Sequence, residues 1–179
     1  MGSKLITKGM RIQDELMKAS LAVLLYAAPM LTAAPRPSVL IFARTDCPIL
    51  NRYAPEVTRI FTEFSNRVDF HLVYVEPGLT AGGMERHRTE YGLPIPAILD
   101  TDRKYTRMAG ATVTPQAAVF VDGKLIYRGR IDDRYPTLGT MRAQPLHRDL
   151  ADVLAAVAAG RIPPPHFTKA IGCAIEASK

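Results

Sequence analysis

The chain has 179 residues, 47% of them hydrophobic, with a formal net charge of +6. This gives a globular chain with room for one domain of ordinary size plus terminal segments. Two cysteines are too few for a disulfide scaffold and cannot alone complete a structural zinc site, while the lack of tryptophan and of aromatic–basic interleaving argues against nucleic-acid binding.

Residues 1–34 read as an export leader. Lys18 precedes the apolar run Leu21–Leu31, and Thr32, Ala33 and Ala34 supply small residues for cleavage. The run is shorter than the roughly 20 residues a bilayer span needs, and its length suits the core of a signal peptide. Translation from Met17 would give a cleaner signal. The alternative is an amphipathic or buried N-terminal helix. Cleavage near Ala33 or Ala34 would leave a periplasmic or secreted protein with no stable membrane span. That compartment is oxidising and lets thiols cycle through disulfides.

Ser38–Ala43 is a continuous apolar run, the signature of a strand buried on both faces. It delivers Cys47 to the start of a predicted helix, with Pro48 behind it and Tyr53, Val57, Ile60, Phe61 and Phe64 at helical spacing. Val68–Val75 is β-branched and aromatic, a second strand. Ala81–Tyr91 reads as a polar, exposed helix, Pro94–Asp100 as a short strand, and Lys104–Ala109 as a helix. Gln116–Val121 and Lys124–Arg128, joined by Asp122-Gly123, predict a hairpin. A last helix spans Leu146–Ala159 and stops at Gly160. Arg161–His166, with three prolines, runs extended over the surface. The order predicts an α/β domain over residues 35–160, with a mixed sheet and helices on both faces, followed by a tail over 161–179.

Cys47 sits where helix N–H groups and the helix dipole would stabilise a thiolate, the reactive form. A small buried hydrophobe is the other reading of a free cysteine. Asp46 would oppose ionisation if its carboxylate faced the sulfur, and Arg44 could offset it. The four histidines show no ligand spacing, so no metal site is expected. Asp132, Asp133 and Arg134 read as a solvated, mutually paired turn.

Three segments carry a resemblance: Thr45–Asn51, Gly110–Pro115 and Tyr127–Tyr135. Together, over about residues 38–160, they resemble the redoxin branch of the thioredoxin fold. That branch includes the alkyl hydroperoxide reductase/thiol-specific antioxidant proteins and the periplasmic thiol–disulfide oxidoreductases. The resemblance implies a central mixed β-sheet with helices on both faces and Cys47 as nucleophile. It further implies protein disulfides, protein thiols or peroxides as substrates, an external thiol as reductant, and no dissociable cofactor. Pro115 resembles the cis-proline set beside the active cysteine, with Thr114 offering backbone groups to an extended substrate. The other reading is a trans proline opening an edge strand.

The chain departs from the branch at the second thiol. Leu50 stands where a Cys-X-X-Cys pair would place its second cysteine, and Asn51 where copper-delivering relatives place theirs. Arg44 stands where peroxiredoxins carry a threonine or serine. Cys173, in an apolar patch with Ile171 and Ile175, is the other cysteine in the chain. Either the tail folds back and brings Cys173 to Cys47 as resolving partner, or Cys173 is a free thiol on a disordered end. A module that binds a protein partner, or holds copper(I) through both sulfurs, is the alternative to an enzyme.

Overall fold

A computed structural model describes residues 36–176. The expected leader at residues 1–34 lies outside them. Six strands form one sheet in the order β3-β2-β1-β5-β6-β7. The strands are β1 Ser38–Ala43, β2 Asp69–Tyr74, β3 Ala97–Leu99, β5 Gln116–Val121, β6 Lys124–Gly129 and β7 His166–Phe167. β1 lies at the centre, parallel to β2 and antiparallel to β5. Its unbroken apolar run follows from that place, since both of its faces are covered.

Strand alternation divides the core. Val39, Ile41 and Ala43 face the helices α1 (Pro48–Phe64) and α4 (Asp149–Ala158), together with Met84 of α2 (Ala81–Glu90). Leu40 and Phe42 face the other way, towards α3 (Lys104–Ala109). The fold is therefore α/β, a mixed central sheet with helices on both faces. α1 follows the spacing of its apolar residues, with Leu50, Tyr53, Val57, Ile60 and Phe64 all buried. The β5–β6 hairpin turns on Asp122 and Gly123 at φ 49° and 73°, the left-handed pair that suits Asp-Gly. No helix among the described residues is long and apolar enough to cross a membrane.

Two expectations need correction. The turn at Asp132 and Asp133 is not solvated: the two carboxylates are 2% and 4% exposed. Asp133 Oδ1 accepts the backbone N–H groups of Leu146 (2.7 Å) and His147 (3.0 Å), and Asp132 accepts from the Tyr53 hydroxyl and from Arg134 N. The second correction follows from the first. Leu146 and His147 are held as loop by Asp133, so α4 begins at Asp149, not Leu146. Burial alone would push Asp133 up, but these two N–H donors and Arg142 outweigh it and hold the carboxyl below its usual range.

The tail is more ordered than its prolines suggest. β7 adds to the sheet parallel to β6, and Thr168 fastens it: Thr168 Oγ1 accepts from Arg130 N (3.1 Å) and pairs with the Tyr127 hydroxyl (2.8 Å). The Arg128 guanidinium lies 5.1 Å from the centre of the Phe167 ring. Beyond this anchor, β8 (Cys173–Ala174) pairs antiparallel with β4 (Val113–Thr114) in a separate two-stranded sheet.

Candidate functional site

Cys47 is the residue before the first turn of α1, with extended backbone (φ −85°, ψ 104°) and Pro48 behind it. Its side chain makes no capping bond, so the sulfur is free for other partners. The loop that presents it is fastened twice. Thr45 N and Oγ1 both donate to Glu76 Oε2, at 3.0 and 2.6 Å, and Asn51 Nδ2 donates to Thr45 O at 3.3 Å. The unsettled geometry of Asp46 is resolved by Arg44, whose guanidinium takes both carboxylate oxygens in a fork of two 2.9 Å bonds. That fork, more than any other contact, holds the Asp46 carboxyl below its usual range.

Thr114 also reaches the sulfur. The Thr114–Pro115 bond is cis. Thr114 O accepts a hydrogen bond from Cys47 Sγ at 3.0 Å. Thr114 is fully buried, and its hydroxyl has no partner among the described residues.

The tail brings the second sulfur. In the β4–β8 ladder Cys173 stands opposite Thr114, and Ile175 N donates to Thr112 O at 2.9 Å. This register puts Cys173 Sγ 3.2 Å from Cys47 Sγ. The two cysteines are not bonded to each other. Ile171 and Cys173 pack on one core cluster and Ile175 on the other. Burial, followed by the contact with Cys47, pushes the Cys173 thiol up to about 11. Cys47 itself is completely enclosed.

All four residues singled out in the sequence, Cys47, Thr114, Pro115 and Cys173, thus meet at one point. Sequence reasoning missed the residues that hold them there. Asn51 was noticed only as a missing cysteine, yet its side chain bridges Thr45 O to His87 Nε2, and His87 Nδ1 meets the Tyr74 hydroxyl at 2.7 Å. A polar residue in the first turn after Cys47 was the available signal. Gly172 was also passed over.

The arrangement can pass a disulfide between two sulfurs already in contact. Among the described residues no group of three or more His, Cys, Asp or Glu side chains converges as a metal site.

No family model matches the chain, and no curated protein matches it in sequence. Solved structures do match it in shape. An uncharacterised conserved protein from Geobacillus kaustophilus superposes with a TM-score of 0.69 at 24% identity, covering 81% of this chain and 79% of that one. A hypothetical protein from Sinorhizobium meliloti gives 0.68 at 19% identity, with 80% of each chain covered. A secreted disulfide oxidoreductase from Mycobacterium tuberculosis is similar at a TM-score of 0.46 and 20% identity, over 70% of this chain and 81% of that one. With its mixed sheet in this strand order, its helices on both faces and its cysteine at the start of α1, this chain has a thioredoxin-like α/β fold.

Proposed function

We propose that the protein is an exported thiol–disulfide oxidoreductase with Cys47 as nucleophile and Cys173 as resolving thiol. The observation that carries this reading is the 3.2 Å approach of the two sulfurs across 126 positions of sequence. Cys47 thiolate attacks one sulfur of a substrate disulfide, forming a mixed disulfide and releasing one substrate thiolate. Cys173 then loses its proton and attacks Cys47 Sγ, so a Cys47–Cys173 disulfide forms and the second substrate thiolate leaves. Two electrons have passed to the substrate. An external thiol, used twice, returns the pair to the reduced state. With a peroxide in place of the substrate disulfide, Cys47 thiolate attacks one peroxide oxygen, the O–O bond breaks and the other oxygen leaves as an alcohol or water; Cys173 then displaces water from the resulting sulfenic acid. Thr114 and Pro115 shape the groove through which either substrate reaches the sulfur.

Cys47→Ser is expected to abolish both disulfide reductase and peroxidase activity. Unchanged activity in that variant overturns the mechanism. Export rests on the leader pattern of residues 1–34, and an intact mass that retains them on the mature protein overturns it.

The complete burial of Cys47 favours a second reading, a module that binds a partner or copper(I) through the two sulfurs without turnover. Alkylation of Cys47 across pH separates the two. Ionisation below the free thiol's pKa of about 8.5 supports chemistry, and an inert thiol supports binding.

A further inference from the structure

Gly172 is where the tail presses hardest on the domain. A Cβ placed there would stand 2.1 Å from Thr114 O, 2.7 Å from Thr114 C and 3.2 Å from Pro115 N. These are backbone atoms of β4 and of the Pro115 that follows it, beside Cys47, and cannot swing aside as a side chain can. While β8 is paired, only glycine fits at this point.

Backbone pairing with a strand edge takes any extended segment, so selectivity has to come from side chains. Here the steric limit falls on the residue before the cysteine. The tail meets it with Gly172, places Cys173 opposite Thr114, and extends the ladder through Ile175 N to Thr112 O. Docked in this way, it leaves Cys47 with no exposed surface.

Resting on the reading of Cys47 as an exchange nucleophile, we propose that Gly172–Ile175 is a resident pseudosubstrate. It fills the groove that a partner's cysteine must use, and the wall at Thr114 restricts that groove to extended peptide segments in which glycine directly precedes cysteine. The substrate class is therefore a protein or peptide with an exposed Gly-Cys pair. Such a segment enters by displacing the tail, so its apparent affinity is reduced by the fraction of molecules in which the tail is docked.

The test uses the full chain with Cys173→Ser, which leaves Cys47 as its one thiol. Alkylation of Cys47 by iodoacetamide at pH 8 is expected to be slow in this variant. Adding Gly172→Ala should speed it at least about tenfold, because overpacking of this size weakens a docked segment by about 1.4 kcal/mol or more. Ile175→Asp, in the same background, serves as an independent opening variant should Gly172→Ala disturb folding. Equal alkylation rates with and without the opening changes overturn the strap.

Selectivity is read with two peptides, Lys-Ala-Ile-Gly-Cys-Ala-Ile and its counterpart with alanine in place of glycine. Each is supplied as a 2-thiopyridyl disulfide. Cys47 attacks the peptide sulfur and releases 2-thiopyridone, which is followed by absorbance. In the opened variant the Gly-Cys peptide should react at least about tenfold faster, and equal rates overturn the selectivity. If neither peptide reacts while alkylation still responds to Gly172→Ala, the exchange reading of Cys47 fails and the strap stands without its substrate role.

Discussion

His87 Nε2 stands 2.9 Å from Asn51 Oδ1, which ties α2 to the first turn of the helix that begins beside Cys47. Because Asn51 Nδ2 donates to Thr45 O, its Oδ1 is an acceptor and Nε2 carries the imidazole hydrogen. Nδ1 then accepts from the Tyr74 hydroxyl. The network is complete only with neutral imidazole.

Burial lowers the His87 pKa below its ordinary value. The unfolded chain therefore takes up a proton more readily than the folded one. This contribution to stability is full above the unfolded value of about 6.5 and is lost as pH falls from there towards the folded pKa. Urea unfolding between pH 8 and pH 5 should show a decline beginning near 6.5 that His87→Gln removes. Parallel declines in both proteins would contradict it.

Cys173→Ser should leave the first exchange intact and block the second. With a substrate disulfide, the variant is expected to accumulate Cys47 in a mixed disulfide visible by non-reducing mass spectrometry, while the wild type clears it. A wild-type rate of clearance in the variant would show that an outside thiol, not Cys173, resolves Cys47.

With its thiol pushed up to about 11, chiefly by burial and then by Cys47, Cys173 stays protonated at neutral pH. Its alkylation rate should rise about tenfold per pH unit through pH 8–10, following the thiolate fraction. Cys47→Ala removes the smaller contributions, so the profile should move to lower pH yet remain above that of a free thiol. A profile unmoved by Cys47→Ala would mean that the sulfurs do not meet in solution.

Oxidation should stabilise the domain. A bridge across 126 positions removes chain entropy from the unfolded state worth about 4–5 kcal/mol in the loop-closure model. Oxidised and reduced protein, compared by urea unfolding, should differ in midpoint accordingly. An unchanged midpoint, with the bridge verified by mass, counts against a relaxed closure.

The elements that bury an apolar stripe were legible from residue type. β1, α1, β2 and the Asp-Gly hairpin follow local patterns that burial then rewards. β4 and β8 were not legible, because each is two residues long and exists through pairing with the other from across the chain. The proximity of Cys47 and Cys173 could be posed from the sequence as one of two options, and only the register of that ladder decides the distance. Asp132 and Asp133 misled for a related reason. Charges at a turn read as solvated unless the donors waiting for them are known, and those donors are Tyr53 on α1 and the backbone at Leu146 and His147.

The anchoring of β7 sets the local concentration of the Cys173 thiol beside Cys47. With Thr168 held against Tyr127 and Arg130, only Lys169–Gly172 separate the fixed strand from Cys173. Even a tail lifted off β4 keeps its sulfur within a few residues' reach of Cys47. A short tether of this kind presents its end group at millimolar effective concentration or above. On the proposed mechanism, a mixed disulfide on Cys47 would meet its own chain's thiol before a dilute outside one, keeping single turnovers within one molecule.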